Sequence, residues 1–298
     1  MKNIQDKHIF AVLGGDSRQW TVAKRLIESG AKVRTYAVES EGELAGASVC
    51  NSVERAIAGS DIIILPLPVS RDNINLSFRD QNFSEVRLGD IVKLSKKYGV
   101  GYIFGGVIPE EMQNICQKLE IKAIDYYKSE SLQDKNALPS AEGALMVAME
   151  NTDITVMGMK ALVCGYGRIG KRLAYMLKRL GATVTVAARR DATICEVTMD
   201  GYDSLKIGTG RWLRGDYDVI FNTVPSVIFT EKAIADLKDD ILYIEIASKP
   251  GGIDMSAAIN GSVRVINAPS LPGKYAPRSA GDYIFETVQE ILAGGISL

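Results

Sequence analysis

Short runs of β-branched and other apolar residues alternate with amphipathic helical stretches along almost the whole chain. This alternation predicts an α/β protein with mainly parallel sheets. In the first half we expect helices at 19–29 and 109–118, placed between short apolar strands. The predicted strands cover residues 9–13, 32–37, 61–65, 100–104 and 121–126.

The second half repeats this order from residue 160 onwards. A strand at 160–164 precedes a glycine-rich turn and a helix that ends near residue 180. In both halves a Gly-Ala dipeptide, beginning at Gly30 and at Gly181, separates the first helix from the next strand. We therefore predict two doubly wound parallel-sheet domains. The later strands are predicted at 183–187, 219–222, 242–246 and 263–267.

The domain boundaries follow from a helical stretch near the middle of the chain. Residues 140–151 predict a linking helix with Ser140 as its N-cap. Residues 268–280, rich in Pro and Gly, predict a loop before a last helix at 281–293, which we expect to return to the first domain. The prediction is a flavodoxin-like substrate or catalytic domain, 1–139 plus 272–298, and a Rossmann dinucleotide-binding domain, 140–271. This resembles the two-domain architecture of 2-hydroxy-acid and alanine dehydrogenases.

A glycine fingerprint carries the clearest chemistry. The sequence GYGRIG follows the strand at 160–164 and opens a helix. Glycines at these spacings allow a tight turn, a close approach to a pyrophosphate and close helix–strand packing. The helix N-terminus adds free N–H groups and a positive dipole. The predicted cofactor-binding residues of this turn are Gly165, Gly167, Arg168, Ile169 and Gly170.

The end of the next strand predicts which coenzyme binds. An NAD site has Asp or Glu there, whereas this chain has Arg189 and Arg190 and no acid before Asp191. Two guanidinium groups suit a 2′-phosphate, so NADP is predicted and NAD is less favoured. Loops after the fourth and fifth strands should border the nicotinamide. Their predicted cofactor-binding residues are Asn222, Thr223, Pro225, Ala247 and Ser248.

Composition excludes several classes of protein. With 35 Lys and Arg against 36 Asp and Glu, the net charge of −1 argues against nucleic-acid or membrane-surface binding. No apolar run approaches the length of a membrane span, and the start of the chain lacks the apolar core of a signal peptide. Four dispersed cysteines and one His predict a cytoplasmic protein with reduced thiols and no metal site.

Several charged and hydroxyl side chains are predicted to line one crevice. Asp16 and Arg18 follow the first strand, and Glu142 lies at the start of the linking helix. Four cations in such a crevice suit a small substrate with more than one carboxylate. We expect catalytic roles for Glu142, Asp16 and Lys249. The predicted substrate-binding residues are Arg18, Ser140, Lys274, Tyr275, Arg278 and Ser279.

The order of seven motifs carries a family resemblance over about residues 8–290. These motifs are GGDSRQ at 14–19, PSAEG at 139–143, GYGRIG at 165–170, NTVPS at 222–226, ASKPGG at 247–252, APSLPG at 268–273 and APRSAG at 276–281. The chain resembles the A subunit of dipicolinate synthase. The resemblance implies NADP-dependent oxidation of a dihydrodipicolinate-type precursor to dipicolinic acid (pyridine-2,6-dicarboxylate), in the cytoplasm of the mother cell of a sporulating bacterium.

The resemblance also implies a partner, the flavoprotein-like B subunit of dipicolinate synthase, and we expect a homo-oligomer as well. Glu142 or Asp16 would accept the proton that leaves with the hydride. Other interpretations stay open at the level of sequence. The chain could be another NADP-dependent oxidoreductase acting on carboxylated imines or amino acids. It could instead be a non-catalytic NADP-binding regulatory subunit, or an α/β protein with no ligand.

Overall fold

Two compact units make up the chain. They are Met1–Asn136 together with Ala276–Leu298, and Ala137–Tyr275. The structure, a computed structural model, describes residues 8–39, 42–79, 83–208, 212–213, 215–235, 237–239 and 241–294.

The first unit is built on a six-stranded, wholly parallel sheet. Its strand order is β3-β2-β1-β4-β5-β6, so the order reverses between β1 and β4. Its strands are β1 (Ile9–Leu13), β2 (Lys32–Tyr36), β3 (Ala47–Val49), β4 (Ile62–Ile64), β5 (Tyr102–Gly105) and β6 (Lys122–Asp125). Its helices are α1 (Ser17–Glu28), α2 (Val53–Ile57), α3 (Leu88–Tyr98) and α4 (Glu110–Lys118), with a 3₁₀ turn at Tyr126–Lys128 and a closing helix, α11 (Pro277–Ala293).

The second unit repeats this topology. Its strand order is β12-β11-β10-β7-β8-β9, again all parallel, and the reversal lies between β7 and β10. Its strands are β7 (Lys160–Cys164), β8 (Thr183–Ala188), β9 (Asp203–Lys206), β10 (Val219–Asn222), β11 (Leu242–Glu245) and β12 (Arg264–Asn267). Its helices are α6 (Arg168–Arg179), α7 (Asp191–Met199), α8 (Glu231–Ile234), α9 (Met255–Asn260) and α10 (Leu271–Tyr275). The predicted fold class, two doubly wound parallel-sheet domains, is confirmed.

Both sheets are covered by apolar side chains on their two faces, which is why their central strands are almost wholly apolar, with Lys160, Asn222 and Glu245 at strand ends as exceptions. The strand β4 is three consecutive isoleucines, all fully buried. In the first unit α11 packs against α1 at Gly281, where a Cβ atom would lie 2.5 Å from Cβ of Thr21. The glycine therefore permits this close approach of the two helices.

Two predicted elements were wrong in extent. The linking helix, α5 (Glu130–Glu150), begins ten residues before the predicted start at 140, and Pro139 and Ser140 lie inside it. Ser140 is therefore not an N-cap, and a proline within a helix is the reason that the pattern suggested a start there. The segment 268–280, predicted as a loop, contains α10 and the first turn of α11, where Pro277 is suited to a helix start.

Candidate functional site

The turn between β7 and α6 has the backbone geometry that the glycine fingerprint predicts. Gly165 has φ of +93°, in the region that favours glycine, and its N–H donates to Ala187 O at 2.8 Å. A Cβ atom on Gly170 would overlap the carbonyl oxygen of Gly165. Glycine at these two positions therefore lets helix α6 begin directly against the end of strand β7.

The N-terminus of α6 is open to a ligand. Its N-cap is Gly167, which has no side chain to accept from the first-turn N–H groups. A Cβ atom on Gly167 would meet no atom within 4 Å, so space lies next to the turn. Free N–H groups at a helix N-terminus beside open space fit the pyrophosphate of a dinucleotide. Arg168 and Ile169 lie on the first turn of this helix.

A pocket of about 360 Å³ adjoins this turn. Arg189 and Arg190 are exposed and line it. Within the described ranges, neither guanidinium has a hydrogen-bond or ion-pair partner. A second pocket, of about 500 Å³, shares Arg189 with the first. The first pocket is lined by Gly165, Tyr166, Gly167, Ala188, Arg189, Arg190, Thr193, Ile207, Val224 and Ile228.

Two loops follow β10 and β11 at the carboxyl edge of the same sheet. In the first, Asn222 is fully buried, and Thr223 Oγ1 donates to Cys164 O at 2.8 Å, while Pro225 is exposed. In the second, Ala247 is half-buried, and Ser248 is exposed. The structure thus brings the predicted cofactor-binding residues of the second unit to the ends of β7, β8, β10 and β11.

In the first unit, the corresponding turn between β1 and α1 has two carboxylates hydrogen-bonded to the N-terminus of the helix. Asp16 is the N-cap of α1 and accepts from Arg18 N at 3.1 Å. Glu39 Oε2, beyond the end of β2, accepts from Ser17 N at 2.9 Å. These carboxylates accept from first-turn N–H groups of α1, whereas Gly167, the N-cap of α6, has no side chain that could do so. Among the described residues, the turn of the second unit is therefore the better suited of the two to a phosphate.

Asp16 and Arg18 also bond to each other through their side chains. The distances are 2.8 Å from Arg18 Nε to Oδ1 and 2.8 Å from Nη2 to Oδ2, with both side chains buried. Burial raises the pKa of the Asp16 carboxyl, but hydrogen bonds and positive charge from Arg18 outweigh this effect. The pKa of Asp16 is therefore below its ordinary value. The sequence prediction of two independent groups overlooked this pairing.

The remaining predicted substrate residues differ in their surroundings. Lys274 Nζ donates to Tyr275 Oη at 2.8 Å, and Tyr275 Oη donates to Glu150 at 2.9 Å, so this pair is already engaged within the second unit. Ser140 is buried in α5, whereas Glu142 is exposed on the same helix. Arg278 and Ser279 are exposed in the first turn of α11, which belongs to the first unit.

Three of the predicted catalytic or substrate-binding side chains are charged and unpaired among the described residues. Among the described residues, Glu142, Lys249 and Arg278 have no hydrogen-bond or ion-pair partner. All three are exposed. They are therefore available to a ligand in a way that Lys274 and Tyr275 are not.

Two sets of side-chain hydrogen bonds in the second unit, made by Tyr166 and Glu245, are not indicated by any sequence pattern. Tyr166, from the glycine turn, donates its hydroxyl to Asp200 Oδ2 at the end of α7, and burial together with this bond raises the pKa of Tyr166. Glu245, at the end of β11, is buried, and its carboxylate accepts from both cofactor-side loops. An isolated Tyr in the fingerprint and an isolated acid at the end of a strand carry no recognisable pattern.

Membrane spans and metal clusters are both missing from the described part of the chain. None of the helices there combines the length and the apolar composition needed to cross a membrane. No three His, Cys, Asp or Glu side chains among those residues are grouped so as to hold a metal ion.

Comparison with known families gives two matches along the chain. The model of the N-terminal domain of the dipicolinate synthase A subunit matches residues 9–127. The model of the NAD-binding domain of S-adenosyl-L-homocysteine hydrolase matches residues 140–270. The second match covers the unit whose helix N-terminus is open, and it supports a nicotinamide cofactor there.

Individual relatives agree with these matches. The chain is 29% identical to the A subunit of dipicolinate synthase from Bacillus subtilis (strain 168) over 284 residues, which is 95% of each protein. The crystal structure of the A subunit of dipicolinate synthase from Bacillus halodurans has a TM-score of 0.86 at 26% identity, covering 97% of this chain and 99% of that one. D-lactate dehydrogenase from Escherichia coli, at 14% identity and a TM-score of 0.60, covers 95% of this chain and 96% of its own, and shares the fold.

Proposed function

We propose that this chain uses NADP to oxidise a dihydrodipicolinate-type precursor. The proposal is supported by its homology to the dipicolinate synthase A subunit and by its NAD(P)-binding domain, which indicate an oxidoreductase with a dehydrogenase-type role in dipicolinate synthesis. The product would be dipicolinic acid. The observation that carries this proposal is the open N-terminus of α6 next to two unpaired guanidinium groups of the described chain.

The coenzyme preference follows from charge at the end of β8. A ribose 2′-phosphate carries negative charge and several acceptor oxygens, which guanidinium groups bind with charge-assisted hydrogen bonds. Arg189 and Arg190 are exposed at the pocket and are not committed to a carboxylate of the described chain. An NAD site would place an acid at this position, and such an acid would repel the phosphate.

The substrate preference follows from the free cations. A pyridine dicarboxylate precursor needs donors for two carboxylates, and Lys249 and Arg278 are exposed cations without a described partner. Arg18 could meet a carboxylate only in exchange for Asp16, since its guanidinium is already hydrogen-bonded there. Weaker polar contacts are assigned to Ser140, Lys274, Tyr275 and Ser279.

Oxidation removes one hydride and one proton from the dihydropyridine ring and leaves an aromatic ring. Bound NADP+ supplies the hydride acceptor. Glu142 is our candidate for the proton acceptor, because its carboxylate is exposed and has no described partner. Asp16 is less suited, since the hydrogen bonds from Arg18 stabilise its ionised form and lower its pKa. Lys249 would hold a substrate carboxylate near the reacting carbon.

The name of the relatives implies a second subunit. We propose that this chain acts with the flavoprotein-like B subunit, in the cytoplasm of the mother cell, and that it also forms a homo-oligomer. The test is to supply precursor and NADP+ to the purified chain with and without that partner, and to follow the absorbance of the reduced coenzyme. Reduction that requires this chain supports an oxidoreductase, whereas unchanged reduction by the partner alone would leave this chain as a regulatory component.

A further inference from the structure

A buried carboxylate joins the two loops that follow β10 and β11. Glu245, the last residue of β11, is 6% exposed. Its Oε1 accepts from Asn222 Nδ2 at 2.7 Å and from Ala247 N at 3.1 Å. Its Oε2 accepts from Gly252 N at 2.7 Å and from Tyr243 Oη at 3.1 Å. Four donors therefore surround one carboxylate, and within the described chain no cation pairs with it.

These four hydrogen bonds reach both loops. Asn222 is the last residue of β10, directly before the first loop, and its side chain also accepts from Val224 N at 3.1 Å and donates to Val224 O at 3.0 Å. Ala247 and Gly252 lie near the two ends of the second loop. The carboxylate thus fixes the start of one loop and both ends of the other through a single buried group.

Close packing around this group leaves little room for an alternative arrangement. Gly251 has φ of +85°, and a Cβ atom there would lie 3.0 Å from Glu245 Oε2. A Cβ atom on Gly252 would overlap the side-chain amide of Asn222. Gly252 O in turn accepts from Ile228 N and Phe229 N, both at 2.9 Å. Glu245 therefore provides the acceptor on one side of Gly252, and the N–H groups of Ile228 and Phe229 hold the other side.

We propose that Glu245 is a positioning residue for the nicotinamide half of the cofactor. The inference rests on the proposed cofactor site. In this topology the two mononucleotide halves of a dinucleotide lie on opposite sides of the strand reversal. The adenosine half would lie beside Arg189 and Arg190 after β8, and the nicotinamide half beside the loops that Glu245 joins. Glu245 would then set where Ser248 and Lys249 stand against the nicotinamide and the substrate, without touching either.

Replacement of Glu245 by Gln tests this role, because an amide cannot accept at both oxygen positions. If its NH2 group takes the place of Oε2, Gly252 N loses its acceptor and faces another donor. If it takes the place of Oε1, Asn222 Nδ2 and Ala247 N face a donor. In either orientation a loop is displaced, whereas Arg189 and Arg190, which follow β8, have no hydrogen bond to either loop in the described chain. The matched control is Asp218→Asn, a carboxylate that accepts from Lys160 N at 2.8 Å at the amino edge of the same sheet.

The experiment measures binding of two probes to the full chain. NADPH contains both halves of the cofactor, whereas adenosine 2′,5′-bisphosphate contains only the adenosine half. We expect E245Q to raise the Kd for NADPH about tenfold, because returning the displaced loop to its binding position costs about as much as one charge-assisted hydrogen bond. It should also reduce the fluorescence change of the bound nicotinamide and leave the Kd for adenosine 2′,5′-bisphosphate unchanged. D218N should change neither Kd.

Three results would overturn the inference. Unchanged NADPH binding and fluorescence in E245Q would show that the loops do not depend on this carboxylate. Equal weakening of both probes would show a purely structural role. If wild-type protein bound no NADPH, the proposed cofactor site itself would fail, and the inference with it. Should E245Q not fold, E245D, which keeps the charge on a shorter side chain, is measured in the same way. Selective but smaller loss of NADPH affinity is then expected, and loss of both probes contradicts the role.

Discussion

The guanidinium of Arg18 donates two hydrogen bonds of 2.8 Å to the carboxylate of Asp16, two residues earlier in the chain. Both side chains are buried, at 7% and 9% exposure. Nη2 of Arg18 also donates to Leu67 O. A cation and an acid that look separately available in the sequence therefore neutralise each other at the end of β1.

Asp16→Asn should destabilise the protein by breaking the ion pair between Asp16 and Arg18. Without the carboxylate, Arg18 stays buried with no counter-charge, and we expect the free energy of unfolding to fall by about 3–5 kcal/mol at neutral pH. The pKa of Asp16 is lowered in the folded state, so its contribution is present above the unfolded pKa of about 3.9. The contribution is lost as pH falls through the folded pKa, so wild type and variant should converge in acid.

Urea unfolding between neutral and acid pH checks this expectation. The control is Asp282→Asn, which removes a bidentate partner of Arg25 from a more exposed pair. Its loss should be much smaller, because water screens exposed pairs. Equal losses in the two variants, or a difference from wild type that stays constant with pH, would contradict the account of Asp16.

Gly167 and Gly170 should respond differently to a single added methyl group. Gly170→Ala places Cβ against the carbonyl oxygen of Gly165, so helix and strand must separate, at a cost of about 1–3 kcal/mol in unfolding free energy. Gly167→Ala meets no protein atom and has an ordinary φ of −88°, so stability should be unchanged. The methyl group would project where the pyrophosphate is expected, so NADPH affinity should fall at least about tenfold.

Thermal unfolding and NADPH titration of both variants separate these two effects. A Gly167→Ala protein that binds NADPH as wild type does would place the phosphates elsewhere. A large stability loss in the same variant would show that the turn is more crowded than the structure indicates.

Arg189 and Arg190 should decide between the two coenzymes. We expect the double variant Arg189→Gln with Arg190→Gln to raise the Kd for NADPH about 100-fold, the loss of two charge-assisted hydrogen bonds. The Kd for NADH should change little, since NADH lacks the 2′-phosphate. Arg179→Gln is the control, because Arg179 is exposed on α6 and stacks on Tyr175 away from the lining of the pocket. Equal losses for both coenzymes would remove the 2′-phosphate assignment.

Glu142→Gln should slow oxidation without weakening the binding of NADPH. Loss of a positioned proton acceptor typically reduces the rate by a factor of about 10²–10⁴. Glu130→Gln, an exposed glutamate in the first turn of the same helix, is the matched control and should keep full activity. Steady-state kinetics with precursor and NADP+ make the comparison. A rate unchanged by Glu142→Gln would remove this residue from the mechanism.

Much of the fold was predictable because local and global signals agree. The apolar runs that form β1, β4, β7, β10 and β11 are buried on both faces, so their composition alone marks them as strands. The edge strands β3 and β9 were missed because they are short, and half-buried or exposed along their length. Pro139 indicated that a helix starts there, whereas the structure has Pro139 inside the longer helix α5.

The candidate site was predictable where a ligand requires a fixed backbone pattern. Gly165, Gly167 and Gly170 have the places that their spacing indicates. Side-chain partnerships were not predictable, since they depend on contacts between distant segments. Glu39 accepts a hydrogen bond from Ser17 N, and Glu245 accepts one from Gly252 N. No spacing in the sequence indicates either bond. The hydrogen bond from Lys274 Nζ to Tyr275 Oη was likewise not predicted, because the sequence does not show how side chains are oriented.

The most direct test of the central proposal is the stoichiometry of the reaction. The chain, together with the proposed flavoprotein-like B subunit, is supplied with the dihydrodipicolinate-type precursor and either NADP+ or NAD+, and dipicolinate and reduced coenzyme are quantified in the same samples. We predict one NADPH for each dipicolinate formed, and a higher kcat/KM with NADP+ than with NAD+. Dipicolinate that accumulates without reduced coenzyme, or at a rate that does not depend on this chain, would contradict the proposal.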